Sequence, residues 1–228
     1  MCAIFGSFDT SMFEVLYEAN KKRGNFASSI ISLAEDDQYI RKKKGNIDFD
    51  KYTYQPYSDY HLGHVQAPTS AARAWTYDTS HPFESLSWLV SHNGVLTNHK
   101  KLKKQYCSFI ENSVDTAVIV NILEHFTQKS LKDDKRVLPI KIIKQTLELL
   151  SGTYALSIVF CDTNEVFIAR NGSILHYNKK GDYSTMSGCG FEELPEGVIM
   201  KLNNKTKRWH CFKYPIFLYK RRMWHGLW

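Results

Sequence analysis

Apolar and polar positions change their period several times along the chain, and each change marks a different element. The opening run Ala3-Ile4-Phe5-Gly6-Ser7-Phe8 reads as a short apolar strand closed by a turn. From 12 to 22 the apolar residues Phe13, Leu16 and Tyr17 fall at helical spacing, and Arg23-Gly24 supplies a stop. Short β-rich segments follow at 27–33, 38–43, 61–66 and 86–92, with a helix starting around Asn98. Asp115 then stands before Ala117-Val118-Ile119-Val120 and Ile122-Leu123, an N-cap-like start to an apolar helix. A second helix over 139–150 opens on Pro139, a residue favoured in a first helical turn. After Gly152 the pattern returns to strands at 154–160, 165–170, 174–177, 183–187, 198–202 and 209–213. Turn signals such as Asn171-Gly172 and Lys180-Gly181 separate them. Two blocks of strands around a pair of helices predict two sheets covered by helices, an α+β layered domain.

Composition narrows the class. At 228 residues, 43% hydrophobic and 14% aromatic, the chain has material for a large packed core. No window approaches ~18 uninterrupted apolar residues, and no basic-then-apolar leader opens the chain, so the expectation is a cytoplasmic protein without a membrane span. The five cysteines, Cys2, Cys107, Cys161, Cys189 and Cys211, form no Cys-x-x-Cys pair, which argues against a disulfide framework and against a zinc site. The formal charge of +7 gathers in Arg41-Lys42-Lys43-Lys44, in 100–104 and in the tail from Lys205 to Arg222. Solvated lysine-rich faces account for it more simply than nucleic acid does.

Two places carry candidate chemistry. Methionine aminopeptidase removes Met1 when residue 2 is small, which would leave Cys2 bearing both a thiol and a free α-amine. An α-amine titrates near ~7.7–8 and a thiol near ~8.5, so one can act as base for the other without a distant histidine. A small buried hydrophobe at position 2 is the other reading. Ser91-His92-Asn93-Gly94 lies at a strand end, where Asn-Gly reads either as a hairpin turn or as a pair of donors for a developing oxyanion.

Taken together, Met1-Cys2-Ala3-Ile4-Phe5-Gly6, Arg23-Gly24, Gly63-His64, His81-Pro82-Phe83, His92-Asn93-Gly94, Asp115-Thr116 and Pro195-Glu196-Gly197-Val198 resemble, in order, the glutaminase domains of class II glutamine amidotransferases. These are N-terminal nucleophile hydrolases, and the resemblance covers residues 1–203. It implies a four-layer αββα sandwich of two antiparallel sheets. It also implies hydrolysis of the side-chain amide of L-glutamine through a Cys2 thioester, with the α-amine shuttling the proton to the departing ammonia. The Asn93 side chain and the Gly94 N–H would form the oxyanion hole, and Asp115 would hold the substrate α-ammonium. Arg23 matches a family arginine near the nucleophile. No cofactor or metal enters this chemistry.

One departure stands out. Where family members resembling the pattern Gly-His-x-Arg place the arginine that binds the α-carboxylate, this chain has Gln66, which lacks the charged planar fork. Either affinity for glutamine is low, or Arg73 takes the role with hydroxyls of Thr69 and Ser70 sharing it, or the substrate is an amide without that carboxylate. Family enzymes usually fuse this domain to an ammonia-consuming synthase. The basic aromatic segment 204–228 is too short for a second domain, so a separately encoded acceptor synthase or transferase is expected, with this segment either docking it or forming a final strand. Two alternatives remain: an N-terminal nucleophile amidohydrolase acting on another amide, and a non-catalytic interaction module on the same scaffold. Retention of Cys2, Asn93, Gly94 and Asp115 together argues against the module.

Overall fold

A computed structural model describes residues 2–35, 37–49, 58–67, 74–106 and 114–214. In chain order the elements are β1 (Ala3–Ser7), α1 (Thr10–Asn20), β2 (Ala27–Leu33), β3 (Gln38–Lys44), β4 (Tyr60–Gln66), β5 (Phe83–Glu84), β6 (Trp88–Leu96), α2 (His99–Tyr106), α3 (Asp115–Lys132) and α4 (Pro139–Leu149). They continue with β7 (Gly152–Phe160), β8 (Glu165–Asn171), β9 (His176–Tyr177), β10 (Tyr183–Ser184), β11 (Glu192–Glu193), β12 (Val198–Asn203) and β13 (Arg208–Lys213).

The strands form two antiparallel sheets, one in the order β11-β9-β10-β1-β4-β2-β3 and the other in the order β13-β12-β8-β7-β6-β5. Their facing surfaces share a core that includes Ile4, Ile31, Leu62, Leu89, Ala155, Val159 and Ile168. The outer face of the first sheet packs Phe5, Ile30 and Val65 against Phe13, Leu16 and Tyr17 of α1. The outer face of the second packs Trp88, Val90 and Leu156 against Ile119 and Leu123 of α3 and Ile143 of α4. The result is the expected αββα sandwich, in which each sheet is buried on both sides. That is why β2 and β4 are buried at every position, whereas the edge strand β3 alternates partly buried with exposed residues and carries three consecutive lysines. Charged edges of this kind discourage strand pairing with other chains.

Local chemistry sets the element ends. The Asp9 carboxylate accepts the Met12 N–H at 2.9 Å and caps α1, and Pro139 occupies the first turn of α4. The segments expected over 174–177 and 183–187 shrink to two-residue strands. The Thr185 N–H and hydroxyl instead bond the Ile4 carbonyl, and the Met186 N–H turns back to Ser184 Oγ. The segment 204–214 is structured: β13 pairs with β12 along its length, and Tyr214 is buried with its hydroxyl 3.0 Å from that of Tyr154. Residues 215–228 lie outside the described residues.

Two buried histidines tie stability to pH. Burial lowers the imidazole of His61 to about 4 and that of His64 to about 3, so both are neutral in the folded chain at neutral pH. Unfolded histidine titrates near ~6.5, so the unfolded chain binds more protons between that value and the folded ones. Stability contributed by these groups is complete above pH ~6.5 and is lost as pH falls toward 4. A thermal melt series from pH 7 to pH 4.5 should show a loss of about 2–3 kcal/mol per pH unit. A flat profile over that range would show that neither ring is buried neutral.

Candidate active site

β1 lies inside its sheet between β10 and β4, with Ala3 opposite Val65 and Phe5 opposite Gly63. Extending that register by one residue sets Cys2 opposite Gln66. Because side chains alternate along a strand, Cys2 shares the face of Ile4, and Gln66 that of Leu62, toward the second sheet. On β6 the same alternation turns Leu89, Ser91 and Asn93 toward the first sheet and His92 toward the helices. Asn93 is paired with Ala155 on β7, a member of the inter-sheet core. β1 packs on β6 across this interface. The half-buried Cys2 and the buried Asn93 therefore both lie on the facing inner surfaces of the two sheets.

Several contacts hold the start of β1 in place. The Ile4 N–H donates to Thr185 Oγ1 at 2.9 Å, and Thr185 N–H donates back to the Ile4 carbonyl at 2.9 Å. Arg23, at the end of the turn after α1, donates from Nε to the Cys2 carbonyl at 3.1 Å. Gly24 beside it is pressed on the end of β4, where a Cβ would come within 2.4 Å of the Gln66 carbonyl carbon. Chain termini are usually loose, and these bonds are what make an N-terminal residue usable as a positioned group.

The Asn-Gly pair is not a hairpin turn. β6 runs through it to Leu96, with Asn93 opposite Ala155 and Gly94 opposite Tyr154. Among the described residues the Asn93 side chain has no hydrogen-bond partner, although the residue is buried. Glycine is required next to it: a Cβ on residue 94 would lie 2.1 Å from the Thr153 carbonyl oxygen, a backbone atom of β7 that cannot step aside. Gly94→Ala is expected to cost about 2–4 kcal/mol in a urea unfolding series, through overpacking against a central strand. An unchanged midpoint would show that β6 and β7 separate easily.

Behind this strand lies a buried polar network. The Thr116 hydroxyl sits 3.0 Å from His81 Nε2 and 3.1 Å from His92 Nδ1, so it can accept from one ring and donate to the other. His81 stacks on His64 with ring centroids 3.9 Å apart, and His64 Nε2 reaches the His92 carbonyl at 3.3 Å, joining the two sheets one residue from Asn93. Asp115 is the first residue of α3 rather than its cap, which is Val114. Its carboxylate accepts the Leu96 N–H at 3.0 Å and stands 3.7 Å from His92 Nδ1. Burial raises its pKa, but His92 and the Leu96 and Thr116 bonds outweigh this and hold it below the ordinary carboxylate value.

Gln66 is 1% exposed, and its amide Nε2 donates to the Thr79 carbonyl at 3.5 Å while Oε1 has no partner among the described residues. Thr69, Ser70 and Arg73 lie outside the described residues. Among the other described cysteines, the Cys161 thiol is pushed up to about 12 by burial, far from the nucleophilic range. No group of metal-binding side chains occurs among the described residues.

Residues 78–186 match the family of glutamine amidotransferase domains. A glutamine–fructose-6-phosphate aminotransferase from Staphylococcus epidermidis is 30% identical over 232 residues, spanning 97% of this chain and 36% of its own length. The corresponding enzyme from Geobacillus kaustophilus is 28% identical over 186 residues, covering 77% and 30%. The chain thus spans roughly a third of the length of these relatives. The glutamine phosphoribosylpyrophosphate amidotransferase of B. subtilis shares the fold, with a TM-score of 0.74 at 18% identity over 94% of this chain and 50% of its own. The sandwich is that of N-terminal nucleophile hydrolases. The chain belongs to the class II glutamine amidotransferase domains.

Proposed function

We propose that this domain hydrolyses the side-chain amide of L-glutamine, with Cys2 as nucleophile, and passes the ammonia to a separately encoded acceptor enzyme. The observation that supports the reading is the register that puts Cys2 and Asn93 on the facing inner surfaces of the two sheets, with Cys2 leading directly into an interior strand. After removal of Met1, the α-amine takes the thiol proton as sulfur attacks the amide carbon. The tetrahedral oxyanion forms beside the Asn93 amide and the Gly94 N–H. Collapse breaks the C–N bond, the α-ammonium returns its proton to the leaving nitrogen, and ammonia departs from a thioester. Water, deprotonated by the same amine, then releases glutamate and restores the thiol. Asp115, with its carboxylate ionised, is suited to the substrate α-ammonium.

Arg23 supports this reading as the group that holds the Cys2 main chain, and Gln66 as the neutral neighbour of Cys2 on the adjacent strand. A buried amide without charge grips a carboxylate less firmly than arginine. Arg73, sharing the role with the Thr69 hydroxyl, supplies that contact in our reading. The direct test is glutamate release from L-glutamine by protein whose intact mass shows loss of Met1, run beside simple amides that lack the α-carboxylate. Turnover confined to L-glutamine supports the assignment, and preference for the simple amides would favour an amidohydrolase of different specificity.

A further inference from the structure

We propose that the pole of the sandwich opposite Cys2 holds a second site, which binds a phosphorylated small molecule bearing an apolar ring, as nucleotides do. β1 carries the chain from Cys2 to Phe8, roughly 20 Å at an extended rise per residue, so nothing bound beyond Phe8 touches the glutaminase residues. There, a cavity of about 590 Å³ opens between the start of α1, the turn joining β9 to β10 and the turn joining β12 to β13. That volume lies within the range of small-molecule pockets.

Its walls are cationic and its floor is apolar. Lys179 and Lys180 come from one turn, Lys207 from the other, and Arg208 from the first position of β13. None of the four makes an ion pair among the described residues. The two acidic residues of the cavity also make hydrogen bonds within the chain. Asp9 caps α1 through the Met12 N–H, and Asp182 accepts the Ser7 hydroxyl at 2.7 Å and the Asn178 amide at 2.8 Å. The cavity wall therefore carries four cationic side chains against two carboxylates, a positive balance. The Thr10 and Ser11 N–H groups at the start of α1 have no acceptor among the described residues, and they add donors suited to an anion.

Phe8, Met12 and Val15 form the apolar part, with Val15 61% exposed. Lys207 Nζ stands 5.1 Å from the Phe8 ring centroid, which sets a cation beside an aromatic face. A bare phosphate would use the cations and leave this surface uncovered. A ring next to the phosphates would use both. The chain's own segment 215–228 is a poor occupant, because it carries Lys220, Arg221 and Arg222 and no acidic residue.

Isothermal titration with magnesium-free ATP as the probe, in low salt and without glutamine, tests the site apart from the glutaminase reading. Pyrophosphate and adenosine serve as partial ligands. The expected order is ATP tightest, pyrophosphate weaker and adenosine undetectable. The double variant Lys180→Glu/Lys207→Glu alters exposed side chains only, so folding and ligand-free turnover should stay as in the parent. Reversing two charges near a polyanion should weaken ATP about tenfold or more. Equal ATP affinity in parent and variant would overturn the proposal, as would absence of ATP binding at millimolar concentration. Pyrophosphate binding as tightly as ATP would overturn the role of the apolar floor.

Discussion

Cys2→Ala is expected to bring glutamate release down to background, a loss on the order of 10⁴-fold or more, while the fold persists. Removing a nucleophile abolishes the covalent route, and the remaining oxyanion donors and binding contacts recover only a small part of the rate. The thermal midpoint should move little. The bonds that anchor this end of β1 come from the main chain of Ile4 and the carbonyl of Cys2, neither of which depends on the thiol. Intact mass must confirm loss of Met1 in both proteins, because a retained methionine would acylate the amine that serves as base. Turnover that survives in a correctly processed Cys2→Ala protein would remove the N-terminal cysteine from the mechanism and leave the reaction to another group.

Asn93→Ala should lower kcat about 10²–10³-fold with little change in KM. An oxyanion donor acts on charge that exists only in the transition state, so its loss is felt in the chemical step rather than in binding. This variant separates catalysis from stability unusually well. The Asn93 side chain makes no hydrogen bond to the described residues, so truncation leaves no protein partner unsatisfied. If Asn93 were merely a core residue, the variant would lose stability and keep its turnover once folded. A rise in KM with kcat unchanged would instead make Asn93 a ground-state contact.

The network behind β6 explains how such a donor is kept in register. His64 bridges the sheets through the His92 carbonyl, and Thr116 joins His81 to His92 at the start of α3. Burial disfavours the charged form of the His64 ring, which suits that bridging role. Part of the expected acid sensitivity, that of His64, therefore comes from a side chain that also bridges the sheets one residue from Asn93, whereas His61 bonds Ser32 on the α1 side of the first sheet. Positioning and pH tolerance are linked through His64.

Much of this architecture was legible along the chain. Helical spacing of Phe13, Leu16 and Tyr17, the proline opening α4 and the apolar run after Asp115 mark the helices, because an amphipathic or buried helix needs such repeats whatever its partner. Strands β2, β3, β4, β7, β8, β12 and β13 follow from β-rich runs and turn residues, and the candidate chemistry at Cys2 and Asn93-Gly94 stands out because those residue types suit it, whereas Asp115 gained its substrate role only from the family resemblance. Other features had no local signal. Whether Asn93-Gly94 turned or continued as strand depended on Thr153, about sixty residues away, whose carbonyl excludes a Cβ at position 94. Asp115 looked like a helix cap, yet its carboxylate is taken by the Leu96 N–H of another element. His81 and Thr116 stand in the motifs His81-Pro82-Phe83 and Asp115-Thr116, but nothing local shows what they bond, and Thr185 belongs to no motif. Their importance arises only when β10 meets β1 and α3 meets β6, since hydrogen bonds between distant segments leave no period in the residues that make them. Patterns of burial and turn chemistry are local properties and can be read from neighbours in sequence; the placement of Cys2 and Asn93 on the inner surfaces of opposite sheets is a property of two packed sheets.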